Sequence, residues 1–411
     1  MKRNFILFIV AFLFAGNIDA QSVSIKNIKK HIAYLAADSL HGRGTGTTDE
    51  GNAAEYIVKV FKQNKIGFLP GSDSYFQAFT FKENKNPHSE DTTVGAIRHG
   101  KNVVGYIDNH AAQTIVIGAH YDHLGMGYDH NSLDPNPEGK IHNGADDNAS
   151  GTSGVLELSR ILASKKSKLP FNVIVCLFSG EELGLVGSKK FVAANKLDSS
   201  KINYMLNFDM IGRMNDTTKS LLVMGYGTAL EWGQMVPSCN TIFHIKYDSA
   251  GIGPSDYASF YLENIPVLGF FTGQHSDYHK PTDDIDKINF KGEKEVLEFA
   301  LRIISATEKF PKMKFSKTSN KETGRSKYKV SMGVMPDYVY DGKGLRIDGV
   351  TDGKPAAAAG LKKGDIITHF DDFEIADIQD YMKALGNTKK GDTKKVTILR
   401  GTETLVLEVK F

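Results

Sequence analysis

Four short apolar runs, Thr114–Ala119, Asn172–Phe178, Ile202–Phe208 and Ile265–Phe271, each end within a few residues of a histidine or an acid, and this pairing constrains the fold most. Runs with no polar alternation suit strands buried on both faces, as in a parallel sheet covered by helices. The segments around them supply those helices. Ser24–Asp38 places Ile28, Ile32 and Leu35 on one helical face. Thr47 with Glu50 three residues on reads as a capping box, followed by the stripe Ile57, Val60 and Phe61 and closed by Gly67. Ala149–Lys165 carries Val155, Leu158, Ile161 and Leu162 at the same spacing. The alternation predicts an α/β domain with a mixed, mostly parallel central sheet flanked by helices.

Residues 1–20 read differently: Lys2 and Arg3 precede the apolar run Phe5–Phe14, and Ala20 offers a small residue for cleavage. This is the pattern of a secretory signal, so the chain is expected to be exported, periplasmic or secreted. The run is too short for a comfortable bilayer span and no longer one follows, so stable membrane insertion is not expected. A stretch rich in Lys, Ser, Thr and Asn, residues 312–329, reads as a linker dividing a first domain at 21–311 from a second at 330–411. The second repeats the alternation at smaller scale: a strand at Leu345–Val350, an Ala-rich helix ending at Gly360, a strand at Ile366–Phe370, a helix at Ile378–Leu385 and a hairpin across Arg400-Gly401. Lys and Arg total 50 against 48 for Asp and Glu, so no sequence-wide field points to nucleic acid or an anionic membrane. Cys176 and Cys239 are the only cysteines and are expected to be free thiols.

Five segments concentrate His, Asp and Glu just beyond the strands: His120-Tyr121-Asp122-His123, Asp146-Asp147-Asn148, Glu181-Glu182, Asp209, and Asp277-Tyr278-His279 with Asp283. In open α/β sheets, ligands bind beyond the carboxyl ends of the strands, where residues distant in sequence converge. Each segment alone has an ordinary explanation as turn or helix-start chemistry. Together they would crowd carboxylates at one sheet end, and the repulsion calls for cations. Imidazole with carboxylate suits zinc, and a bridging carboxylate can hold two ions about 3.5 to 4 Å apart.

These motifs, in this order over roughly residues 25–310, resemble the co-catalytic di-zinc exopeptidases, including bacterial leucyl aminopeptidases and the catalytic domain of glutamate carboxypeptidase. The resemblance implies two Zn2+ ions per chain, with Asp146 bridging, His120 and Asp209 completing one site, and Glu182 and His279 the other. Glu181 is then the general base and Asp122 the carboxylate behind His120. Asp147 is expected to be a loop hydrogen-bonding partner, and Asp283 a supporting carboxylate. His123 lies off the family motif, and His275 sits four residues before the better match, so neither is assigned as a ligand. Tyr278 and Arg213 border the ligands, with substrate contact, packing or a salt bridge all open to them.

The implied activity is aminopeptidase hydrolysis of peptides, with carboxypeptidase or dipeptidase activity, or a silent peptide-binding protein, as alternatives. Residues 330–411 resemble a bacterial PDZ domain, a small β-barrel with two helices, on Lys354-Pro355-Ala356, Gly360-Leu361-Lys362-Lys363-Gly364-Asp365 and Arg400-Gly401. Such a domain implies a peptide or protein C-terminus as partner. Ser331-Met332-Gly333-Val334 stands where the usual carboxylate-binding loop is expected.

Overall fold

The computed structural model describes residues 22–84, 94–129, 131–164, 169–195, 197–318, 330–337, 340, 342–350 and 353–411. The expected signal segment and residues 319–329 of the expected linker lie outside them.

Two sheets organise the described residues. The first contains β1 (Phe76–Asn84), β2 (Val94–Ile107), β3 (Gln113–His120), β4 (Phe171–Phe178), β5 (Ile202–Phe208), β6 (Ser220–Met224), β7 (His244–Tyr247) and β8 (Val267–Phe271), in the order β1-β2-β4-β3-β5-β8-β6-β7. Its centre, β4-β3-β5-β8, is parallel throughout, whereas β1, β2 and β6 join antiparallel. The four apolar runs are those central strands, and β4 and β5 are buried along their whole length. β8 starts at Val267 rather than Ile265, because Pro266 has no N–H to give a ladder.

Helices α1 (Ile25–Leu35), α2 (Thr48–Gln63), α3 (Gly151–Leu162), α4 (Val186–Asn195), α5 (Trp232–Cys239), α6 (Tyr257–Leu262) and α7 (Phe290–Thr307) accompany this sheet. One apolar core joins α1, α2, α3, α5 and α7 to one face, and a second joins α4 and α6 to the other. Thr47 Oγ1 accepts from Glu50 N–H at 3.1 Å as the capping box requires. The reciprocal arm differs: Glu50 is buried and its Oε2 accepts from Gly46 N–H at 2.7 Å, while Ser179 Oγ donates to Oε1. Both cysteines are buried and free.

The second sheet contains β9 (Val334–Pro336), β10 (Leu345–Val350), β11 (Ile366–Phe370), β12 (Phe373–Glu374), β13 (Thr393–Arg400) and β14 (Glu403–Lys410), all antiparallel, with helices α8 (Pro355–Ala358) and α9 (Ile378–Gly386). Its core, from Met332 to Val409, is separate from the first two. Among the described residues, no helix is long and apolar enough to cross a membrane.

Candidate active site

Parallel pairing brings the acids and histidines to one edge. His120 closes β3 level with Phe178 of β4, so Glu181 and Glu182 follow in the adjacent loop. Gly118 of β3 pairs with Asn207 of β5, which sets Asp209 level with His120. Asp209 N–H donates to Phe270 O at 3.2 Å, linking it to β8 and so to the loop that carries His279. The chain from Ala145 to Ser150 leads into α3 and fills the centre of this edge.

His120 Nε2 lies 3.4 Å from Asp147 Oδ1 and 3.5 Å from Asp209 Oδ1. On the other side, His279 Nε2 lies 3.2 Å from Asp147 Oδ2 and 3.1 Å from Glu182 Oε2. Asp147 therefore offers one oxygen to each histidine. Donor atoms that share a tetrahedral zinc at the usual bond lengths stand about 3.3 Å apart, and these separations bracket that value. Ligand atoms of His120, Asp147 and Glu182 also lie within 4.8 Å of one another. Glu181 Oε2 reaches to 4.0 Å from His120 Nε2 without joining either group.

Two linked expectations are corrected: Asp146, read as the bridge, faces away, and Asp147, read as a loop partner, stands between the two histidines. Asp146 Oδ1 accepts from Gly212 N–H at 2.7 Å and Ser150 Oγ at 3.0 Å, and its Oδ2 lies 3.2 Å from His275 Nε2. The backbone leaves helical geometry at Asp147 and Asn148, so the two neighbouring carboxylates point in different directions. His120, Glu182, Asp209 and His279 converge as expected. Tyr278 stacks on His279 with ring centroids 3.9 Å apart, and Arg213 pairs with Asp277 at 3.1 Å.

A sealed layer supports the cluster. Side chains of Glu181, Asp209 and His279 keep 11%, 15% and 14% exposure, whereas Asp122, His123 and Asp146 keep none, which marks the open side. Asp122 stands behind His120 as expected: its backbone carbonyl is 3.2 Å from His120 Nδ1, and its carboxylate takes bonds from Thr45 Oγ1 and Glu181 N–H. Asp283 Oδ2 accepts from both Asp146 and Asp147 N–H at 3.0 Å, fixing the central turn.

Residues missed by sequence reasoning complete this layer. Ser255 Oγ donates to Asp209 Oδ2 at 2.6 Å, and His123 Nδ1 lies 2.7 Å from Glu182 Oε1. Arg43, wholly buried, donates to the carbonyls of Leu35, Tyr121, Asn143 and Gly144. A Gly-flanked arginine far from the acidic motifs gave no signal of this role.

The electrostatics express crowding. Burial pushes the Glu181 carboxyl well up, reinforced by Asp256, Glu182 and Asp209 and opposed by His120. Burial also works to raise Asp147 and Glu182, but neighbouring histidines outweigh it, holding Asp147 well below the usual carboxylate range and Glu182 at about 2. For His120 and His279, burial works downward, yet the surrounding carboxylates drive both well above the ordinary imidazole range. Arg43 also lies within electrostatic reach of Asp122, Asp147, Asp283 and Glu182; a buried set of acids facing histidines is a set of donors suited to divalent cations.

Residues 102–304 match the model of Peptidase family M28, and residues 318–411 match that of the PDZ domain, so a peptidase-family region is followed by a PDZ region. The PDZ match begins inside the stretch read as a linker. Leucine aminopeptidase 2 of Arthroderma otae is 26% identical over 230 residues, 47% of this chain and 44% of the relative. Aminopeptidase YwaD of Bacillus subtilis is 32% identical over 195 residues, 44% of this chain and 40% of the relative. The chain thus spans less than half the length of these two curated relatives. Among solved structures, BSAP, a zinc aminopeptidase from Bacillus subtilis, shares the fold with a TM-score of 0.53 at 17% identity, covering 71% of this chain and 96% of that one.

Proposed function

We propose that this protein is an exported aminopeptidase that hydrolyses N-terminal residues from peptides, using two zinc ions shared by Asp147. The observation that carries the proposal is the division of the Asp147 carboxylate, one oxygen facing His120 and the other facing His279. His120, Asp209 and Asp147 would hold one ion; Glu182, His279 and Asp147 would hold the other. Bound zinc supplies Lewis acidity, which lowers the pKa of water and stabilises a developing oxyanion.

The chain's own groups do the rest. Glu181 points into the open side beside His120, takes the proton of the attacking water and delivers it to the leaving amine. Asp122 holds the Glu181 backbone and backs the His120 ring, keeping base and ligand in register. No serine or cysteine nucleophile is needed. Export to a periplasm or beyond is supported by the Lys2-Arg3 and Phe5–Phe14 pattern. The PDZ domain is proposed to bind an extended peptide or protein C-terminus by strand addition.

The test combines zinc analysis with digestion of a mixed peptide library, with and without a chelator. Two zincs per chain and chelator-sensitive shortening from the amino end are expected. Shortening from the carboxyl end would replace aminopeptidase with carboxypeptidase, and intact peptides with no zinc would leave a binding protein. Glu181→Gln is expected to lower turnover by about 10² to 10⁴ while both zincs remain; full activity in that variant removes its assignment as base.

A further inference from the structure

We infer that His123 is a positioning residue, one that holds the Glu182 carboxylate in the orientation it needs as a ligand; this rests on the two-ion reading above. The two oxygens of Glu182 are divided between two histidines. Oε2 faces His279 Nε2 at 3.1 Å, inside the donor cluster, while Oε1 faces His123 Nδ1 at 2.7 Å, behind it. A carboxylate can only accept at that distance, so the His123 proton sits on Nδ1 and is donated to Oε1.

The rest of the ring makes no competing claim. His123 is buried, and its Nε2 has no hydrogen-bond partner among the described residues. Its Nδ1 is 3.9 Å from Asp147 Oδ2, beyond the 3.1 to 3.5 Å separations of the grouped donors, so the ring stands outside that group. Backbone and edge are both fixed. His123 N–H donates to Arg43 O at 3.2 Å, and Gly44 and His123 form an isolated parallel bridge. Gly144 lies against the ring edge in left-handed backbone at φ +55°, where an added Cβ would come within 2.4 Å of His123 Cδ2. A side chain at position 144 would displace the ring.

With Oε1 held, Glu182 presents Oε2 alone to the cluster and loses the rotation that would let it swing out or chelate through both oxygens. Partners behind a ligand commonly account for about 10- to 100-fold in metal affinity. His123→Ala should therefore weaken zinc by about 10- to 100-fold at the Glu182–His279 side, with the His120–Asp209 side unchanged. Asn carries its amide nitrogen near the position of Nδ1, so His123→Asn should recover most of the loss. Gln, one methylene longer, should not.

The experiment is competition for zinc against a chromogenic chelator, on full-length protein stripped of metal, with thermal unfolding of each stripped variant alongside. Two tight zincs in the wild type, one weakened in His123→Ala and rescued in His123→Asn but not His123→Gln, is the expected result. If the Ala variant fails to fold, the Asn–Gln contrast carries the same reading. Unchanged affinities in Ala, or equal affinities in Asn and Gln, overturn the inference while leaving the two-ion site intact. A wild type that takes up no zinc overturns both.

Discussion

Exchanging Asp147 and Asp146 in turn for Asn separates two carboxylates that adjoin in sequence and face opposite ways. Asp147 meets His120 and His279 together, so Asp147→Asn weakens both proposed ions at once. A ligand present at 1,000 times its dissociation constant stabilises the folded state by about 4 kcal/mol for one site. For a domain of this size each kcal/mol moves the unfolding midpoint by about 2 to 4 °C, so zinc at one such site should raise it by about 8 to 16 °C. Asp147→Asn should forfeit most of that rise.

Asp146→Asn should keep it, because Asp146 is turned toward Gly212, Ser150 and His275. An amide nitrogen placed against those donors leaves a buried bond unmade, so the metal-free variant should start about 1 to 3 kcal/mol less stable. The assay is thermal unfolding of chelator-treated protein with and without added zinc. A full zinc shift in Asp147→Asn together with its loss in Asp146→Asn would refute the geometry.

Arg43→Lys replaces a fork that reaches four carbonyls with a single ammonium, and should cost about 1 to 3 kcal/mol for each carbonyl left unpaired. A urea midpoint equal to wild type would show that those bonds carry no weight. Glu50 is pushed up to about 8 from 4.5, mainly by burial and then by Asp122. The folded state thus binds this proton more tightly than the unfolded chain, so the group's contribution is complete below about 4.5 and is lost as pH rises through about 8. Stability of Glu50→Gln should fall less over that window, and parallel wild-type and variant curves would rule out Glu50 as the source.

The central strands were legible because burial on both faces leaves no polar alternation, and β3, β4 and β5 show it in sequence. β7 is half exposed and prints no apolar run, whereas β6, buried from Leu221 to Met224 and as long as β8, went unread. Four of the five expected ligands meet because strand order brings their loops to one edge. Asp146 and Asp147 could not be separated that way: both sit in one turn, and which faces the histidines depends on backbone dihedrals and on the grip of Asp283. His123 and Arg43 act through contacts across the chain, which local sequence does not encode.

Residues 42–44 run through a gap with no slack. A Cβ at Gly42 would come within 2.3 Å of His142 O and 2.6 Å of Gly125 O. Arg43 at the same spot clasps the carbonyls of Tyr121 and Gly144, beside the loops that carry His120 and Asp147. This thread lies upstream of residue 102, where the peptidase-family match starts. An expression fragment trimmed to the matched span would contain every proposed ligand and still lack the clasp that sets two of their loops. The smallest unit able to assemble the pocket therefore reaches back at least through this arginine.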